Sequence, residues 1–196
     1  MAQSITFVSR RYTTRSLWSL FLMCAFPLHV WTITLVLRDV SWVAERTNVW
    51  DAIGVGAYGL LFTFIESCAV FLVFALLGLI LPSKWTADKR ISFLILLVMI
   101  LSIWGIISQL LFLWNINLPP FLIQLLARSG RPLVGLYLIS LALVVPSVIL
   151  PVFQFIRSSR MEKVLLDFVD RLSPLVMTYL VLDAAGLIVV LIRNFS

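Results

Sequence analysis

Three titratable side chains stand where only hydrocarbon-compatible residues are expected. They are Glu66 in LLFTFIESCAVFLVF, Asp183 in YLVLDAAGLIVV and the single histidine, His29, in FPLHVW. Two carboxyls and an imidazole inside a bilayer can relay a proton, hold a cation or contact a headgroup or cofactor. They can equally do no more than join helices by hydrogen bonds. An ionised residue at the centre of a membrane helix costs roughly 2.5 to 3.5 kcal/mol on insertion scales. Protonating it at pH 7 from an ordinary starting point costs about 3.7 kcal/mol for Glu and about 4.2 for Asp, at about 1.36 kcal/mol per pH unit. The two costs are close, so the local environment decides. No Lys or Arg sits near the three groups in their own segments. The expectation is an intramembrane polar cluster of Glu66, Asp183 and His29. In it the carboxyls keep their protons and bond within the bundle, and the remaining contact is His29, a buried water or a partner's cation.

The elements that must position these residues follow from hydropathy. The 196 residues are 62% hydrophobic and only 12% charged, with a mean hydropathy of +1.09. Soluble domains are about half apolar and a quarter charged. Five apolar segments can cross about 30 Å of hydrocarbon at about 1.5 Å per helical residue. They are Ser16–Leu37, Ile53–Leu81, Ile91–Trp114, Pro132–Ile156 and Pro174–Ile192. Continuous runs of 19 to 29 residues exclude barrel strands, which alternate in segments of roughly 10. The fold class predicted is an all-α integral membrane protein of five transmembrane helices, a single transmembrane domain over 1–196.

Taking each span's midpoint as the bilayer centre, Asp183 lies at the centre, Glu66 about 1.5 Å outward and His29 about 4 Å outward. All three can share one depth. Their faces are small and polar: Gly59, Thr63 and Val70 with Glu66, Tyr179 and Gly186 with Asp183, Ala25 and Thr32 with His29. Such stripes pack against helices rather than lipid.

Charge sets an orientation. Arg10, Arg11, Arg15, Lys84, Lys89, Arg90, Arg157, Arg160, Lys163 and Arg171 fall on one side, against Arg38, Arg46, Arg128, Arg131 and Arg193 on the other. The richer side stays cytoplasmic, so the amino terminus is expected inside and the carboxyl terminus outside. The first span has basic residues before it, but it exceeds a signal peptide's apolar core and no small-x-small site follows, so it is expected to stay as an anchor. The acid-free, Ser/Thr-rich start also resembles a mitochondrial presequence, although such starts are common at cytoplasmic termini. A cell or inner membrane is the expected location. Trp31, Trp42, Trp50, Trp85 and Trp114 fall near span ends, where an aromatic belt forms.

Between the fourth and fifth spans, Met161, Val164, Leu165, Phe168, Val169 and Leu172 recur at helical spacing opposite Glu162, Lys163, Asp167, Asp170 and Arg171. This predicts a short amphipathic interfacial helix over about 159–172, stopped before Pro174, with Lys163–Asp167 and Asp167–Arg171 spaced to pair. In the fourth span, Pro146 and Pro151 free the carbonyls of Ala142 and Ser147, which predicts a kink, with Ser140 and Ser147 placed to satisfy the freed groups. NINLPPF reads as a stiff turn.

Cys24 and Cys68 both lie in apolar segments and suggest neither a disulfide nor a zinc site. No G-x-S-x-G, H-E-x-x-H, P-loop or dinucleotide fingerprint occurs, and the single histidine excludes a bis-histidine haem within the chain. No basic run exceeds two adjacent residues, so the positive charge is topological and nucleic acid is not an expected partner. No metal site is expected, and no cofactor is indicated. The reading favoured is a non-catalytic subunit or accessory factor of a membrane complex. Its partners would be the lipid bilayer and other subunits or copies of itself. One alternative is a small transporter or proton/cation pathway using the carboxylates. The other is a protein or enzyme for lipids or lipid-linked sugars, with Arg128, Arg131 or the Arg157, Arg160, Lys163 cluster holding an anionic headgroup.

Overall fold

The computed structural model describes residues 12–113 and 118–195. Six helices follow one another: α1 Thr14–Arg46, α2 Val49–Ile80, α3 Ala87–Leu113, α4 Pro120–Arg128, α5 Pro132–Arg157 and α6 Ser159–Phe195. All but α4 are long and apolar enough to cross a membrane. The chain is an all-α multi-pass membrane protein, with one long helix for each predicted span. Arg10, Arg11 and Trp114, which entered the orientation and the belt, lie outside the described residues.

Local chemistry explains where the helices start. Thr13 caps α1, its hydroxyl accepting from the Ser16 amide at 3.1 Å while its own amide donates to the Ser16 hydroxyl at 2.9 Å. Asn48 caps α2 by accepting from the Asp51 amide at 2.9 Å. Only Thr47 and Asn48 separate α1 from α2. At 33 residues, α1 is about 50 Å long, more than the thickness of the hydrocarbon, and it runs on past the predicted end at Leu37 through Arg38, Asp39, Glu45 and Arg46.

The chain forms two compact units, one running through Ile95 and resuming at Glu162, the other Leu96–Met161. In the first, α1 and α2 are antiparallel. Thr32 meets Thr63, Tyr12 reaches the Ala75 carbonyl, and Phe21 sets its ring edge-on to Phe64 and Phe71. Glycines allow the approach: a Cβ on Gly56 would lie 3.2 Å from Val36 and one on Gly59 3.5 Å from Thr32. α6 runs parallel to α1, with Val176 packed against Leu22 and Ala25. It also touches α2, where a Cβ on Gly186 would stand 3.2 Å from the Ala57 carbonyl oxygen.

The predicted interfacial helix is not a separate element. α6 continues through Pro174 for 37 residues. The reason is a seam. Leu165, Val169, Val176, Asp183, Gly186 and Val190 are buried, and half-buried Leu172 and Tyr179 complete alternating steps of four and three. That 3.5-residue repeat is the contact line of a helix packed on other helices, and it crosses the proline without a change of register. Pro174 removes the amide that would bond the Asp170 carbonyl and crowds that carbonyl, yet the helix continues through it. Of the two charge pairs anticipated here, Arg171 donates to Asp167 at 2.9 Å.

In the second unit, α5 likewise runs unbroken through Pro146 and Pro151. The serines do not serve the freed carbonyls: Ser140 donates to the Leu136 carbonyl and Ser147 to that of Val144. The Ser147 hydroxyl instead accepts from the Trp104 indole of α3 at 2.9 Å. Of the predicted turn, residues 115–117 lie outside the described residues, Leu118 and Pro119 precede the helix, and Pro120 opens α4 at the first helical position, where its missing amide is harmless. Gly130, at φ 66°, turns the chain from α4 into α5, and Leu126 packs over Gly135.

Gly186→Leu should force α2 and α6 apart and destabilise the fold by roughly 1 to 3 kcal/mol. Gly105→Ala, with nothing within 4 Å of the added carbon, should cause no loss. Apparent melting temperatures in mild detergent, read by size-exclusion fluorescence, check both outcomes.

Candidate functional site

His29 and Asp183 are the buried polar pair of the first unit, 0% and 6% exposed. Parallel packing of α1 and α6 brings them together. His29 Nε2 lies 2.9 and 3.1 Å from the two carboxyl oxygens of Asp183, and Nδ1 lies 2.8 Å from the Ala25 carbonyl. A carbonyl only accepts, so Nδ1 carries a hydrogen and donates it. One further proton is then needed between Nε2 and the carboxyl, since two lone pairs facing each other would repel. Whether that proton sits on nitrogen or oxygen, as imidazolium with carboxylate or imidazole with carboxylic acid, the pair has no net charge. This lowers the cost that either group would carry alone. The Tyr179 ring lies parallel to the imidazole, centroids 5.7 Å apart and planes 9° from parallel, one turn before Asp183 on the seam.

A second polar contact joins α1 to α2 nearby. Thr63 donates to the Gly59 carbonyl at 2.9 Å, so at 2.6 Å it accepts from Thr32. Ser67, fully buried, donates to the Thr63 carbonyl at 2.7 Å.

Glu66 does not join the cluster. Its side chain is exposed and makes no hydrogen bond or ion pair among the described residues. Azimuth explains this, since depth agrees: Thr32 opposite Thr63 puts Glu66 level with His29 on the antiparallel helix. At about 100° per residue, α6 touches α2 at Ala57 and Leu60, about 60 to 120° to one side of Thr63, whereas Glu66 lies about 60° to the other. The stripe expected through Gly59, Thr63, Glu66 and Val70 is wide enough that its Thr63 edge packs and its Glu66 edge does not.

Both ends of the first unit carry ion pairs not anticipated from the sequence. Arg15 meets Asp170 at 3.2 Å with both side chains largely exposed, a pair that contributes little. Arg193 is better placed. It donates to Asp51 at 2.8 Å and to the Trp50 carbonyl at 2.6 Å, lying over Gly54, whose Cβ would meet the guanidinium at 2.5 to 2.9 Å. The signal was available: Arg193 follows the fifth span and Asp51 precedes the second, on the same side of the predicted topology.

The candidate headgroup residues are all exposed, and the two alternative sets lie at opposite ends of α5. Arg128 ends α4 and Arg131 precedes α5, both exposed. Arg157 lies at the far end of α5, about 39 Å away along a 26-residue helix, with its guanidinium 4.0 Å from the Phe153 ring centre. Arg160 and Lys163, in the first turns of α6, are also exposed. Among the described residues no three of His, Cys, Asp and Glu gather as metal ligands would. Trp42 and Trp50 are half-exposed, and the Arg46 guanidinium lies 4.2 Å from the Trp42 ring centre, an arrangement suited to a membrane boundary. No family model, curated protein or solved structure matches this chain.

The shared proton sets an order of mutational effects. His29→Ala should destabilise most, by roughly 1 to 3 kcal/mol, because it leaves a buried carboxyl without a partner. Asp183→Asn should cost less, since its amide can donate to neutral Nε2. His29→Leu with Asp183→Leu should recover part of the loss. A double-mutant cycle on apparent melting temperature in detergent checks the order.

Proposed function

We propose that this multi-pass membrane protein is a non-catalytic subunit of a membrane complex, held to its partners by helix faces within the bilayer. One observation carries the reading: Glu66 stands near the midpoint of α2, exposed and without a polar partner in its own chain among the described residues. Against lipid, a carboxyl there costs roughly 2.5 to 3.5 kcal/mol ionised, and a similar amount to protonate. A subunit that meets another protein at this face offsets that cost; one surrounded by lipid does not. A proton pathway through all three titratable groups has less support, because Glu66 is turned from the pair and that pair's hydrogen bonds are made within the bundle.

The charge count supports a cytoplasmic amino terminus in a cell or inner membrane. Single cysteines, introduced with Cys24 and Cys68 removed, test this. In right-side-out vesicles an impermeant maleimide should label Ser129→Cys, and should label Ser158→Cys only after permeabilisation. The reverse pattern inverts the topology.

Mild-detergent extraction of the tagged protein from its native membrane, followed by native mass spectrometry, tests the function. A second protein at fixed stoichiometry is expected. A bare monomer or homo-oligomer removes the subunit reading.

A further inference from the structure

The partner's chemistry can be narrowed by asking what could meet Glu66. The carboxyl lies among exposed apolar side chains on α2, with Phe62 one turn before it and Ala69 and Val73 after it. This face is apolar apart from one acid, so a helix that covers it must be apolar with one group able to neutralise a carboxylate.

A second copy of the chain has no such group to offer. Every described Lys and Arg lies at or beyond a span end, and residues 16–37, 53–81, 91–113, 133–156 and 172–192 contain none. Along the helix axes, the nearest cations to the level of Glu66 within its own unit are Arg38 and Arg193, each more than about 12 Å away. His29 is at the right level, but it is fully buried and both its nitrogens are engaged. A symmetric dimer about this face would bring Glu66 towards another Glu66, with no cation at that level.

We propose that the Glu66 face of α2 docks a transmembrane helix of a different protein that carries a single Lys or Arg at mid-membrane depth. Phe62, Ala69 and Val73 supply the apolar contact around the ion pair. Each helix then carries the other's counter-charge, and the two are compatible with the bilayer together. The same requirement gives specificity, because an apolar helix leaves the carboxyl unpaired and an acidic one repels it. This inference rests on the subunit reading and adds the partner's chemistry to it.

The test uses the full chain in its native membrane, with a photocrosslinking residue at Val73 and a control at Ile188 on the outer face of α6. The expected result is a crosslink from Val73, absent from Ile188, to a protein whose transmembrane segment contains a Lys or Arg. Glu66→Lys should lower recovery of that protein at least tenfold, and exchanging the partner's basic residue for Glu should restore it. Glu66→Leu, suited to a lipid-facing position, should give the same loss, so misfolding of the lysine variant leaves the outcome readable. Full recovery with both variants, a crosslinked segment with no basic residue, or a crosslink to a second copy overturns the inference. If another protein still co-purifies in these cases, the subunit reading survives. If no protein co-purifies with the unaltered chain, both fall.

Discussion

A carboxyl group in hydrocarbon must share its charge or its proton with a neighbour, and for Asp183 that neighbour is His29. The contact works because Nδ1 is already committed to the Ala25 carbonyl at 2.8 Å, which aims Nε2 at the carboxyl. With one proton between them, the two side chains form a neutral unit whose donors and acceptors are met locally. The register of α6 against α1 follows from this contact, because a shift of one residue along either helix separates the pair and leaves each group buried alone. Val176 against Leu22 and Ala25, and Arg15 with Asp170, lie in the same parallel register.

The three levels of polar contact in the first unit differ in what they contribute. Arg15–Asp170 lies at an exposed end, where water already solvates both partners and the net gain is small. Arg193–Asp51, with side chains 23% and 36% exposed, also engages a backbone carbonyl and sits over a glycine, so it constrains how α6 meets α2. His29–Asp183 is the most deeply buried of the three and therefore the most selective. Between these levels the helices approach through Gly56, Gly59 and Gly186, where backbone contact replaces side-chain interdigitation.

Much of the fold was legible because hydropathy and rise per residue speak directly to membrane spans. Where the structure departs from the sequence expectation, interhelical packing outweighs the local signal of proline. Pro174 reads locally as the end of a helix, yet the seam from Leu165 to Val190 passes through it, and that alternation of four and three is visible in the sequence once both sides of the proline are read as one segment. In α5, Ser140 and Ser147 were matched to freed carbonyls by proximity along the chain, while Ser147 turned to Trp104, a contact no local rule supplies. The end pairs needed only the topology, since each joins opposite charges on one side of the membrane.

For the site, the amino-acid sequence by itself determined depth. Counting along each span put His29, Glu66 and Asp183 at one level, and the Thr32–Thr63 contact agrees for His29 and Glu66. Depth is one coordinate, read along a single helix of known rise. Which of the three meet is a matter of direction around each helix and of which neighbours lie there, and only tertiary packing decides that. α6 sits against the Ala57 and Leu60 side of α2, so Asp183 finds His29, while Glu66, at the same level and about 60° round from Thr63, looks outward.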